Sequence, residues 1–279
     1  MRILMLVAVA YISGVFPSLA QDIRNAPRPI EAVDTVWLEG MTSMEVRDSI
    51  AAGTTTAIVM TGGMDENGPY IVTGQHNYNT RNDAEIIARK LGNALVAPII
   101  SFSPTPRPPE NDDQIFPGPI SLRTEVFKEV LVDVCGSLKQ HGFRDIILMG
   151  DHGSNGPPMQ EVADMLNARW GNHTAKVHHV NDYRAQHVVI DEQLLPHLGV
   201  HEVPEGIHDS YRVTAILSTI NPELLRYTQR VDANRASING VSIVPLEKTI
   251  DTGKKIIELK TNNVVDAIRE LVENRTNEN

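Results

Sequence analysis

The feature that most restricts this chain is the alternation of short apolar runs with segments of helical spacing. Thr55 to Met60, Leu95 to Ile100, Asp145 to Met149 and Lys176 to Val180 are brief and rich in aliphatic residues. A strand that is apolar on both faces needs cover on both faces, which a sheet with helices above and below provides. The intervening segments supply that cover. Thr42 stands three residues before Glu45 as an N-cap pair, and Val46, Ile50 and Ala51 form a stripe that ends at Gly53. Asn82 to Leu91 repeats apolar residues at Ala84, Ile87, Ala88 and Leu91. Thr124 to His141 carries a long stripe from Val126 to Leu138 and closes on Gly142. Met159 to Trp170 predicts a further helix, and Val264 to Val272 a last amphipathic one. The order α, β, α, β, α, β, α, β predicts an α/β fold, a mostly parallel sheet flanked by helices on both faces.

The ends of the chain are different in kind. Arg2, the apolar stretch Ile3 to Val15 and the small residues Ser18 and Ala20 predict a signal peptide over 1–20, cleaved after Ala20. A retained membrane anchor is the rival reading, disfavoured because the apolar stretch is shorter than the roughly 20 residues a bilayer span needs; once the peptide is cleaved, no membrane association is expected. An exported protein, periplasmic or secreted, is the resulting expectation. Residues 21–35, with Pro27 and Pro29, predict an extended leader; 36–275 a single α/β domain; 276–279 a tail. Exported chains can use disulfides, yet Cys135 is the one cysteine here, and its apolar helical neighbours predict a buried, inert thiol. Lys and Arg total 25 against 35 Asp and Glu, a net charge of −10, which disfavours a nucleic-acid partner.

In open parallel sheets, ligands sit at the carboxyl ends of the strands. Polar clusters fall at these points. Gly62-Gly63-Met64-Asp65-Glu66-Asn67-Gly68-Pro69-Tyr70 follows the first strand, with Gln75-His76-Asn77 just beyond, and Gly62-Gly63 is read as a sharp turn. Gly150-Asp151-His152-Gly153-Ser154-Asn155-Gly156 follows the third strand. Gly206-Ile207-His208-Asp209-Ser210 opens a helix running to Ile220. Carboxylates and imidazoles converging from several strand ends suit a divalent metal with a position left for water. Asp151 is read as orienting a neighbouring imidazole or capping the next helix. Tyr70, Asn67 and Asn155 are candidate substrate contacts, with Arg81 and Arg107 nearby. His178 and His179 are read as structural, His141 as a helix C-terminal charge, and His173, His187, His197 and His201 as surface residues. Neither a G-x-S-x-G elbow nor a G-x-x-x-x-G-K-[ST] loop is present, which disfavours serine-hydrolase and nucleotide chemistry. Ser101 to Ile120, rich in proline, predicts a long ordered loop or lid.

These segments resemble the creatininase family of amidohydrolases. The likeness rests on Asp65-Glu66-Asn67-Gly68-Pro69 with His76, on His152 in its Gly-rich turn, on His208 through Thr214, and on Phe116-Pro117-Gly118-Pro119-Ile120-Ser121-Leu122. It implies a three-layer sandwich in which Asp65, His76 and His152 bind one divalent metal, Zn with Mn or Fe as alternatives. His208 would face the substrate as acid, base or hydrogen-bond donor, Glu66 would act as general base or take over from Asp65, and Asp209 would supply a further carboxylate. Family enzymes with two metals have a histidine where Asn67 stands, a shared aspartate where His76 stands and often a carboxylate where Ser154 stands, which leaves one metal per chain. The family's late carboxylate falls at Val213, which cannot ligate. The implied activity is hydrolysis of the C–N bond of a small, cyclic or linear, amide by a homo-oligomer. A non-catalytic metal- or ligand-binding protein, and a lactonase or esterase using the same site, are the alternatives.

Overall fold

The computed structural model describes residues 25–105, 117–171, 175–206 and 208–277. The expected signal peptide, most of the proline-rich loop, Arg107 and His173 lie outside the described residues. Helix α1 (Ser43–Ala51) opens with the capping pair: Thr42 Oγ1 accepts from the Glu45 amide at 3.3 Å, and a Glu45 carboxylate oxygen accepts from the Thr42 amide at 2.7 Å. The Thr42 amide first, then the Val33 amide and the Thr42 hydroxyl, all donating to this carboxylate, pull the Glu45 carboxyl down to about 2.

Strand β1 (Thr56–Thr61) leads to α2 (Gln75–Leu91), β2 (Ala94–Val96), α3 (Thr124–His141), β3 (Asp145–Gly150), α4 (Gly156–Trp170) and β4 (Lys176–His179). The strands form one sheet in the order β2-β1-β3-β4, with every pairing parallel. Thr56 stands beside Ala94 on one side and Asp145 on the other, and Thr61 beside Gly150, so β1 and β3 end level. Strand β2 is shorter than its apolar run because Pro98 has no amide for the ladder; Ile100 rejoins the sheet as a single bridge to Thr61.

Successive strand residues face opposite sides, and each side has its own core. Ala57, Val59, Ile146 and Leu148 pack with Phe127, Leu131, Cys135 and Leu138 of α3 and with Met159, Val162 and Leu166 of α4. Ile58, Met60, Ile147 and Met149 pack on the other side with Ala84 and Ile87 of α2. Each such fully buried aliphatic side chain is worth roughly 1.5–3 kcal/mol relative to exposure. The Cys135 thiol is fully buried, and burial pushes it up to about 12, so it stays protonated as expected.

After β4 come α5 (Asp182–Val189), which passes through a π turn (Ile190–Leu194) into the short α6 (Leu195–His197), then α7 (Tyr211–Ile220) and α8 (Tyr227–Asp232). A small antiparallel pair, β5 (Ser237–Ile238) and β6 (Val241–Ser242), precedes α9 (Leu246–Asn277). Helix α9 is 32 residues long and starts well before the Val264 onset expected from periodicity. Its first half packs Ile256 and Ile257 into a third apolar cluster with Tyr211, Ala215 and Ile216 of α7, and its second half lays Val264, Val265 and Ile268 on the sheet. Among the described residues no helix is long and apolar enough to cross a membrane.

Candidate metal centre

Three segments converge at the carboxyl ends of β1 and β3. The glycines after β1 serve close approach, not the sharp turn the sequence suggested, since neither adopts a positive φ. A Cβ on Gly62 would overlap the Asn77 side chain, and Asn77 Oδ1 accepts from the Gly63 amide at 3.1 Å. This bond docks the first turn of α2 against the strand end. His76 therefore sits in the first turn of a helix, because α2 begins at Gln75 instead of at the Asn82 onset expected from apolar spacing.

Asp65, His76 and His152 each offer a ligand atom, and these atoms lie within 4.8 Å of one another. Their side chains are 14, 12 and 11% exposed, sheltered yet reachable. His152 Nε2 is 3.1 Å from Asp65 Oδ2, and the two imidazole rings meet edge to face with centroids 5.1 Å apart. Neighbouring ligands in a tetrahedral zinc site with bonds near 2.0–2.1 Å stand about 3.3 Å apart, so the donor set fits a divalent ion without large rearrangement. His152 Nδ1 accepts from the Ser154 amide at 3.2 Å and lies 2.7 Å from the Ser154 hydroxyl, so Ser154 holds that edge of the ring and turns Nε2 toward Asp65. Burial works to raise the Asp65 pKa; His152, His208 and the Glu66 amide outweigh it and hold the group below its usual value.

His208, just ahead of α7, reaches the same place. Its Nδ1–H donates to the Glu66 carbonyl at 2.7 Å, and that nitrogen is 3.8 Å from Asp65 Oδ2 and 3.6 Å from Glu66 Oε1. The ring is 57% exposed, so Nε2 is open to a substrate. Glu66 is more exposed than Asp65 and lies at the mouth of the cluster. Asp209 turns away from solvent: burial pushes its carboxyl up to about 7, Oδ1 accepts from the Ser210 amide, and Oδ2 is buried with no hydrogen-bond partner among the described residues.

Other expected site residues have different places. Asn67 is buried, and its amide donates to the Asp65 and Val72 carbonyls, so it braces its own loop. Asn155 is fully buried, donating to Thr61 and Gly62, and holds the turn after β3 against the end of β1. Neither is presented as a substrate contact. Tyr70 stacks on the buried Arg230 guanidinium at 4.5 Å, and Arg81 covers Trp37 while pairing with Glu39, which directs both side chains into packing. His178 and His179 are structural, as expected, bonded to Asp145 and Gln160.

His187, expected at the surface, is buried instead, with Nε2 3.3 Å from Asp151 Oδ1. Burial, opposed by Asp151, takes its pKa down to about 3 and keeps it neutral. Sequence reasoning also missed Lys260, Asp83 and Tyr183, all fully buried beneath the site. Two signals mark them. Gln75, Asn79 and Asp83 form a polar stripe at every fourth residue of α2, and Lys260 occupies a place in α9 where the stripe through Ile256, Ile257 and Val264 calls for an apolar residue.

Fold and donor set together define an α/β protein with a candidate metal cluster at the ends of parallel strands. The family described as creatinine amidohydrolase, Creatininase, matches residues 39–268, and the chain belongs to it. A crystal structure of creatinine amidohydrolase (creatininase) is similar with a TM-score of 0.65 at 20% identity, covering 85% of this chain and 98% of that one. A mutant creatininase of Zn–Zn type gives the same TM-score, identity and coverage. A putative creatinine amidohydrolase from Bacteroides fragilis NCTC 9343 gives 0.55 at 15% identity, over 77% of this chain and 89% of that one. A search of curated proteins finds no match.

Proposed function

We propose that this chain is an exported, metal-dependent amidohydrolase that cleaves the C–N bond of a small, cyclic or linear, amide. The observation that carries the proposal is the Asp65, His76 and His152 cluster with the open His208 ring beside it. Membership of the creatininase family supports it, and solved relatives include a Zn–Zn type, an Mn form and a mutant complexed with creatine. A divalent ion held by the three ligands would act as a Lewis acid and acidify a water towards neutrality.

The chain's own groups account for the rest. His208, with Nδ1–H committed to the Glu66 carbonyl, has Nε2 available to take a proton and return it to the leaving nitrogen. Glu66 stands close enough to His208 to accept a proton or to stabilise the imidazolium. The sum is addition of water across the amide, giving a carboxylate and an amine. Asn67 and Ser154, occupied with the backbone and with His152, leave one metal per chain as the favoured stoichiometry. Export through residues 1–20 and a homo-oligomeric assembly belong to the same proposal.

Metal analysis of the purified protein and a hydrolysis screen over small cyclic and linear amides test it. About one bound ion per chain is expected, with ion and activity lost together in His152→Ala. A metal-free protein, or an equally active His152→Ala variant, overturns the enzyme reading. Bound metal with no hydrolysis favours the non-catalytic binding reading, and cleavage of lactones or esters alone favours the oxygen-leaving variant of the chemistry.

A further inference from the structure

Asp151 lies at the centre of a buried polar group that touches the metal cluster at one point. Its Oδ2 accepts from His76 Nδ1 at 2.7 Å, with Asn79 Nδ2 at 3.5 Å. Its Oδ1 faces Lys260 Nζ at 3.4 Å and His187 Nε2 at 3.3 Å. Lys260 is held from the other side by Asp83 Oδ2 at 3.1 Å, and its ammonium sits 3.7 Å from the centroid of the Tyr183 ring. The Tyr183 hydroxyl completes the set by donating to Asp83 at 2.9 Å.

Asp83, Asp151 and Lys260 have side chains 0, 2 and 1% exposed. Two carboxylates share this one buried ammonium, and the Arg184 guanidinium also interacts electrostatically with Asp151, so the protein itself balances the charges in this interior. The proton on His76 Nδ1 points at Asp151, so the lone pair on Nε2 points away from it. A carboxylate behind a ligating imidazole fixes its tautomer, holds its ring plane and raises its basicity.

We propose that Asp151 and Lys260 are positioning residues of the metal centre, Asp151 aiming His76 at Asp65 and His152, and Lys260 fixing Asp151. Metal affinity then depends on α9, a helix that contributes no ligand. The inference rests on the metal reading of the cluster, and its test needs no substrate.

The Zn²⁺ dissociation constant of the full chain is measured by competition with a chromophoric chelator, and the visible spectrum of the Co²⁺-loaded protein reports ligand geometry. Asp151→Asn is expected to weaken Zn²⁺ binding by about 10–100-fold and to shift the Co²⁺ bands. Lys260→Met is expected to weaken it by a smaller factor. In a His76→Ala background, Asp151→Asn has no further effect, because its influence passes through that ring. Circular dichroism of the metal-free variants checks folding. If Asp151→Asn does not fold, Asp151→Glu, which keeps the charge and moves the carboxylate, gives the same readings. Wild-type affinity and spectrum in the Asp151 variant, or an undiminished effect of Asp151→Asn without His76, overturns the proposal. Wild-type Zn²⁺ affinity in His152→Ala overturns the metal centre itself, so the two failures are distinguishable.

Discussion

At the scale of single residues, chemical type indicated a site and the hydrogen-bond partner decided the role. Asp65, His76 and His152 are separated by 11 and 76 positions, yet their ligand atoms share one small volume. Asn67 and Asn155 lie in the same motifs and do the opposite work, spending their amides on backbone carbonyls. Motif membership could not separate these cases, because an amide in a Gly-rich turn has backbone acceptors within reach as readily as a substrate. Asp209 shows how far a neighbour of a site residue can differ from it. Burial first, with Glu202 adding to it, raises its carboxyl to about 7 against the pull of the Ser210 amide and Arg230. The folded chain thus holds this proton more tightly than the unfolded chain does. The stability contributed by the protonated form is complete below the ordinary carboxylate range near 4, and it is lost as the pH rises through about 7. Asp209→Asn is expected to gain stability over the wild type at pH 8 and little at pH 4, read from urea unfolding midpoints across that range. Equal differences at both ends would contradict the assignment.

At the scale of elements, apolar periodicity located the helices and strands that face apolar layers. Helix α3 has the expected bounds, and α7 runs to Ile220 as expected. Periodicity failed where a helix turns a polar face inward. The first turns of α2, from Gln75 to Asp83, bury Gln75, Asn79, Thr80 and Asp83, so no apolar stripe announces them. The same reason hid the first half of α9, where Lys260 interrupts the stripe. Gly253 adds a steric condition to this helix. A Cβ there would overlap the Ala215 carbonyl oxygen and the Thr219 hydroxyl of α7, so the two helices touch through their backbones. Gly253→Ala, which would stabilise an isolated helix, is expected instead to cost about 1–3 kcal/mol in the intact protein. Denaturant unfolding of the purified variant checks the sign. An unchanged or raised midpoint would show that α7 and α9 separate without penalty.

At the scale of the whole molecule, the cluster joins parts that are far apart in the chain: the end of β1, the start of α2, the turn after β3, the approach to α7 and, through Lys260, the last helix. An ion that binds only this assembled state stabilises the fold by mass action. Zn²⁺ at about 100 times its dissociation constant is expected to add about 2.7 kcal/mol, a rise in Tm of roughly 5–10 °C for a chain of this size. Chelation should reverse the shift, and His152→Ala should abolish it. The same rise in the variant would place the stabilising ion elsewhere.

The sequence by itself determined the α/β class, the parallel sheet and the strand-end position of the polar clusters. These follow from patterns within a dozen residues, where side-chain periodicity must match backbone geometry. Only the tertiary structure decided that His76 lies on a helix, that His187 and Lys260 are buried behind it, and that Asn67 and Asn155 face inward. Those outcomes depend on which polar groups meet after the layers pack, since a buried carboxylate or ammonium is tolerated only opposite a partner that the local sequence does not contain.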